Sequence, residues 1–128
     1  DFTAEVENFV GETQIKNGLV NIQTMHTTAP LFLNENEPLL MEDFKAHLAQ
    51  ISPKNISYNH NDFTRRTVNM CDNECRNGHS HCEALHLPSN LVINVIDGKV
   101  QLGQWQRIFL VELDKSRLRK VQIQMMGE

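Results

Sequence analysis

The sequence predicts an α+β fold, a compact sandwich of largely antiparallel sheet carrying two to three helices. Three observations carry this. Apolar residues recur at helical spacing in "EPLLMEDFKAHLAQI", residues 37–51. The C-terminal part reads as a series of strands punctuated by Asp97-Gly98. The length of 128 residues suits one domain, 1–128, with a core of its own.

Taken in order, "TAEVENFV" starts a first helix, with Thr3 as N-cap and Val6, Phe9 and Val10 on one face. "KNG", residues 16–18, ends that unit in a tight turn, because Asn-Gly favours positive φ. "LVNIQTMH" follows as a strand, with Val20, Ile22, Thr24 and His26 on one side. "PLFLNENE" is extended after Pro30. In the second helix Leu40, Met41, Phe44, Leu48 and Ile51 share a face, Pro38 occupies the first turn, and Ser52-Pro53 stops it. Asn36 is a good N-cap, and Glu37 suits the helix dipole. Residues 54–78 are polar and turn-rich, hence loop. "SHCEALHL" is a short helix.

"LVINVI", Asp97-Gly98 and "KVQL" form a hairpin, and "QWQRIFLVELD" and "RKVQIQMM" add two strands. Residues 106–113 are apolar on both faces, which predicts a central strand covered on both sides. An oligomer could also cover one face.

The bulk numbers exclude several functions. Hydrophobic residues make up 40% and charged residues 22%, so the chain is neither disordered nor fibrous. A net charge of -4 and the lack of a basic run argue against a nucleic-acid partner. No apolar run approaches bilayer length, so no membrane partner is expected. The chain opens on Asp1 rather than Met, which reads as a processed or partial start. Three cysteines, an odd number, suggest reduced thiols and a cytoplasmic location rather than a disulfide framework.

"CDNECRNGHSHCEALHLPSN", residues 71–90, holds every cysteine and three histidines. A closed zinc site on Cys71, Cys75 and His79 is disfavoured. Its second ligand pair is crowded against the first, and the domain has enough apolar residues to fold without metal. Cys82 beside His81 keeps a thiol role open, though a buried reduced cysteine is the plainer reading. In a helix His79 and His81 point about 200° apart, so only one would face a given site.

His26, at a strand end before Thr27-Thr28, is placed to line a pocket. His60 lies in the polar loop "YNHNDF" with Asn61 and Asp62. His26, His60 and His81 could converge as an open metal site, an anion site or a proton relay. Their plainer readings are a strand-end residue, a solvated loop residue and a core or surface histidine. His47 and His86 read as structural. Glu35 is left unexplained by capping and could act as a base or cation ligand. Trp105, the only tryptophan, is more often core or interface than a stacking platform. Arg65, Arg66 and Arg107 could hold phosphate but have no glycine-rich cradle beside them.

"GLVNIQTMHTTAPLFLNENEP", "YNHNDF", "NGHSHCEALHLPSN", "GKVQLGQWQRIFLVELD" and the closing "MMGE" together resemble the YjbQ family, described as secondary thiamine-phosphate synthases. The resemblance runs from about residue 3 to residue 128. It implies a strand-end site at His26, Thr27 and Thr28, an "NEN" element at Asn34, Glu35 and Asn36, and a loop histidine at His60 with Asp62. It also implies a helix-start histidine at His81, with His79 second, and a "G-x-WQ" element at Gly103, Trp105 and Gln106. The cysteines have no counterpart in it.

The implied activity joins hydroxymethylpyrimidine diphosphate to a thiazole phosphate and releases pyrophosphate. In that reading His26, His60 and His81 ligate a divalent metal, zinc or magnesium, or donate to phosphate oxygens. Glu35 and Asp62 orient them or move protons. Thr27, Thr28, Asn36, Trp105, Gln106 and Arg107 line the substrate. The resemblance also implies a homotrimer and a small phosphorylated metabolite as ligand. Two other classes stand beside it. One is a metal-dependent hydrolase with an open three-histidine site. The other is a non-catalytic metabolite-binding trimer.

Overall fold

The computed structural model describes residues 1–128. Three α-helices, α1 (Thr3–Glu12), α2 (Pro38–Ile51) and α3 (Gly78–Ala84), accompany six strands. The strands are β1 (Gly18–Thr24), β2 (Leu31–Asn34), β3 (Asn90–Ile96), β4 (Lys99–Val100), β5 (Arg107–Leu110) and β6 (Val121–Gly127). They form a four-stranded sheet in the order β4-β3-β1-β6 and a two-stranded sheet of β2 and β5. Every pairing is antiparallel. The α+β class and the helix number match the sequence reading.

The core follows from strand alternation. Val20 and Ile22 of β1 face inward, as do Ile93 and Val95 of β3, and α1 lays Val6 and Val10 across them. Leu31 and Ile108, from the smaller sheet, complete the cluster. Fully burying one such side chain stabilises the fold by about 1.5–3 kcal/mol. Thr3 does not cap α1. Phe2 takes the N-cap position, Asp1 Oδ1 accepts from the Thr3 amide, and the buried Thr3 hydroxyl accepts from Ile108 N–H at 2.8 Å. The first residues are thereby tied to β5.

Asn17-Gly18 adopts no positive φ, contrary to expectation. Gly18 is needed for close approach instead: a Cβ there would lie 2.0 Å from the Met126 carbonyl oxygen. The positive-φ turn is at Asp97 (51°) and Gly98 (72°), where the hairpin was predicted.

The strand after Trp105 is shorter and less central than its apolar run suggested. β5 pairs only with β2. Its two-sided burial is real: Ile108 enters the core while Phe109 stacks on Phe32, ring centroids 4.8 Å apart. The core covers one face, and on the other Phe109 lies beside its cross-strand partner Phe32, on which Phe44 of α2 packs.

α2 is capped by Glu37 rather than Asn36. The Glu37 carboxylate accepts from the amides of Leu39 and Leu40. None of its residues is buried. Its apolar stripe leans on β2, Phe44 meeting Phe32 edge-on at 5.8 Å, over a cavity of about 430 Å³. No helix is long and apolar enough to cross a membrane.

Candidate functional site

The loop from residue 53 to 77 is polar, yet it is pinned at several points. Tyr58 Oη donates to the Pro53 carbonyl, and a short 3-10 turn covers Asn59–Asn61. The Asn61 side chain then accepts from the Gly78 amide at 2.9 Å, so the loop holds the first turn of α3. Gly78 has no room for a side chain, since a Cβ would lie 2.6 Å from Tyr58 Cβ. Further along, Arg66 pairs with Glu74 at 3.2 Å and donates to the Asn69 carbonyl. Glu74 also accepts from the Cys71 amide; that bond and Arg66 hold its carboxyl below the usual range against the burial that raises it.

This pinning sets His60 against His81. Their rings meet edge to face, centroids 4.6 Å apart. His60 Nε2 is buried and has no hydrogen-bond partner. Burial, the neighbouring His60 and Arg66 all hold His81 below the ordinary imidazole value, so it stays neutral at neutral pH. His26 reaches the same region from the end of β1. It lines a cavity of about 440 Å³ with His81, Thr27 and Cys82. The Lys120 amide donates to His26 Nε2 at 2.7 Å, so the neutral ring carries its proton on Nδ1. No three His, Cys, Asp or Glu side chains are grouped so as to hold a metal ion. His60 and His81 are thus a pair, with His26 a neighbour whose Nε2 is occupied.

The other sequence candidates divide among separate places. Thr28 is buried and its hydroxyl accepts from Arg119, which is held by Glu112. Asp62 closes its own turn, accepting from both the amide and the hydroxyl of Thr64, and these bonds hold its carboxyl low. Asn36 donates to Asp1. Glu35, Trp105 and Gln106 line a separate open hollow with none of the three histidines. There Gln106 accepts from the Gly103 amide and returns its own amide to the Gly103 carbonyl, closing the "G-x-WQ" turn. Trp105 projects from that turn, 64% exposed. Arg107 donates to the Gln106 carbonyl.

The cysteines are unpaired thiols. Cys75 donates to Asp114, which also accepts from Asn77 and pairs with Arg117. Burial alone would raise the Asp114 carboxyl, but these partners bring it below its ordinary value.

His79 lies on the other side of α3, buried beside Tyr58 and Ser80. It lines a polar cavity of about 660 Å³ with Lys54, Asp62 and Arg76. Lys54 and Arg76 had no spacing signal in the sequence, because what gathers them is the course of the loop.

The profile described as UPF0047 protein YjbQ-like matches residues 1–128. A UPF0047 protein of Methanothermobacter thermautotrophicus is 34% identical over 128 residues, spanning 100% of this chain and 82% of that protein. The UPF0047 protein YugU of Bacillus subtilis is 31% identical, over 99% of this chain and 88% of its own. Among solved structures, a YbjQ-like protein of unknown function from Sulfolobus solfataricus superposes with a TM-score of 0.87 at 36% identity, covering 100% of this chain and 86% of that one. A hypothetical protein of Aeropyrum pernix gives 0.85 at 33% identity, covering 100% and 87%. Full-length agreement in sequence and in fold makes this chain a member of the YjbQ-like UPF0047 family.

Proposed function

We propose that the chain binds a small phosphorylated metabolite at the His60–His81 pair and carries a weak thiamine-phosphate synthase activity. The observation that carries this reading is the buried, unpartnered His60 Nε2 beside a His81 ring held neutral. A buried polar atom without a partner costs free energy unless a ligand or water satisfies it. A phosphate oxygen accepting from Nε2–H is one such partner, and a metal is another.

The donor chemistry bears on which metal. Imidazole nitrogens suit zinc, whereas magnesium prefers an oxygen shell. His60 and His81 would hold it, and the chain itself groups only these two rings. Such an ion supplies charge stabilisation for a leaving diphosphate. In the joining reaction the thiazole nitrogen attacks the pyrimidine methylene, the C–O bond to diphosphate breaks, and pyrophosphate departs. His60 and His81 would anchor the diphosphate where negative charge leaves. Thr27 and His26 line the adjoining cavity, where the acceptor would enter.

The same reading makes the protein a cytoplasmic homotrimer. The thiols of Cys71, Cys75 and Cys82 are unpaired, as a reducing compartment would keep them. The outward face of the four-stranded sheet bears no charge along β1, β3 and β6. Leu19, Val92, Ile96 and Met126 are exposed there among asparagines and glutamines. A charge-depleted face with exposed apolar residues suits a subunit boundary.

The test is formation of thiamine monophosphate and pyrophosphate from the two precursors, with and without added zinc. Turnover should need both precursors and vanish in His81→Ala. Unchanged turnover in that variant overturns the assignment. Tight binding of a precursor without turnover under any metal would leave a non-catalytic metabolite-binding protein.

A further inference from the structure

We propose that the cavity on the His79 side of α3 is a second ligand site, taking a small phosphate monoester that also carries a hydroxyl or N–H donor. This does not depend on the reading of His60 and His81, which lie on the opposite side of the helix. The volume, about 660 Å³, is in the range of small-molecule sites.

The uncommitted charge in this cavity is positive. Lys54 and Arg76 both line it, and neither has a carboxylate partner: the ion pairs of the chain use Arg65, Arg66, Arg117 and Arg119. The Arg76 guanidinium stands over the Phe63 ring at 5.9 Å, a contact that orients its planar fork and leaves its N–H groups free. The two carboxylates on the same wall are already occupied. Asp62 Oδ1 accepts twice from Thr64 and its Oδ2 lies 4.0 Å from Arg65, while Asp114 accepts from Asn77 and pairs with Arg117. A dianionic phosphate matches two unpaired cations, one of them an arginine fork.

His79 sets the second requirement. It is 7% exposed. The Ser80 hydroxyl donates to the Leu113 carbonyl at 2.7 Å, so its hydrogen is already used. In the 3.1 Å contact between Ser80 Oγ and His79 Nε2 the ring must therefore be the donor. His79 carries its proton on Nε2, and Nδ1 is left as an acceptor to which no protein group donates. Burial first, and Lys54 second, hold the ring neutral, so this acceptor persists at neutral pH. A bare anion satisfies Lys54 and Arg76 but not Nδ1. A phosphate ester with a hydroxyl or N–H satisfies all three.

The test compares ethylene glycol monophosphate with ethyl phosphate by titration calorimetry, at mildly alkaline pH where both are dianions. They differ by one hydroxyl. The glycol ester should bind more tightly by roughly threefold to tenfold, the worth of one neutral hydrogen bond. The double variant Lys54→Met/Arg76→Gln alters two exposed side chains and should keep its fold while losing affinity for both esters by about tenfold or more. His81→Ala should keep both affinities, which separates this cavity from the His60–His81 pair. Equal binding of the two esters, no saturable binding of either, or wild-type affinity in the double variant would overturn the proposal.

Discussion

On β1 the buried residues are Val20, Ile22 and Thr24; on α3 they are Gly78, His79, Ser80 and Glu83. The eight-residue core draws only on α1, β1, β2, β3 and β5, and none of its members lies between residues 32 and 92. Within that stretch α2 packs through Phe44 on Phe32, whereas the loop and α3, residues 53–84, are held by directed bonds: Asn61 to Gly78, Arg66 to Glu74, Asn77 to Asp114, Ser80 to Leu113. The contrast teaches where stability and chemistry reside. One half is a packed platform whose contacts are numerous and interchangeable. The other, the loop with α3, is a scaffold of individual hydrogen bonds, and the buried atoms it leaves unpaired, His60 Nε2 and Asn77 Oδ1, are ones that a ligand could use.

The contrast is broken most strongly by truncating the platform. Ile22→Ala empties the middle of the core and should cost about 2–5 kcal/mol, read as a lower midpoint in urea unfolding. Ligand binding per folded molecule should survive it. If the site failed while the fold held, the two halves would not be separable in this way.

Gly78→Ala strikes the other half. The added Cβ meets Tyr58 Cβ, so α3 must shift away from the loop. Overpacking of this kind costs about 1–3 kcal/mol. Here the His60–His81 contact should be lost at a smaller stability cost than Ile22→Ala. Proton NMR of the imidazole rings would report it, and unchanged ring shifts would show that the loop does not set the pair.

A third expectation concerns pH. His79 and His81 both titrate below the ordinary value of 6.5 in the folded chain. The unfolded chain then binds more protons in the window between the folded and unfolded values, so stability rises with pH there. Their contribution should be full above about pH 6.5 and be lost as pH falls through the lowered values. Urea midpoints measured down that window should decline, and replacing His79 and His81 by Gln should flatten the decline. A decline unaltered in that variant would assign it to other groups.

The smallest effect is expected at Trp105. Its ring is exposed, and Trp105→Ala should change monomer stability by no more than about 0.5 kcal/mol. A larger loss, followed as a function of protein concentration by sedimentation, would place Trp105 in a subunit contact.

Periodicity was a good guide wherever burial is one-sided and local. α1, α2, β1, the Asp97-Gly98 hairpin and β6 all lie where their apolar spacing puts them. Capping was read less well, because the competing groups sit next to one another. Glu37 outcompetes Asn36 at α2, and at α1 Phe2 takes the N-cap position assigned to Thr3, whose amide donates to Asp1 and whose hydroxyl is used by Ile108. The centrality assigned to β5 was wrong because two-sided apolarity records burial, whatever covers the faces. At the site, the sequence offered convergence of His26, His60 and His81 as one possibility; His60 meets His81, and His26 lines a cavity with His81. The tying of His26 Nε2 to the Lys120 amide was not legible, since those residues are 94 positions apart.

The sequence by itself determined the fold class, the helices and strands and the family, because these rest on short-range periodicity and on motifs strung along the whole chain. Tertiary structure alone decided what the histidines of "NGHSH" do. On a helix they diverge, so His81 meets His60 while His79 turns to Lys54 and Arg76. No spacing rule could state that, because the partners come from a loop whose path is fixed by side-chain hydrogen bonds rather than by any repeat.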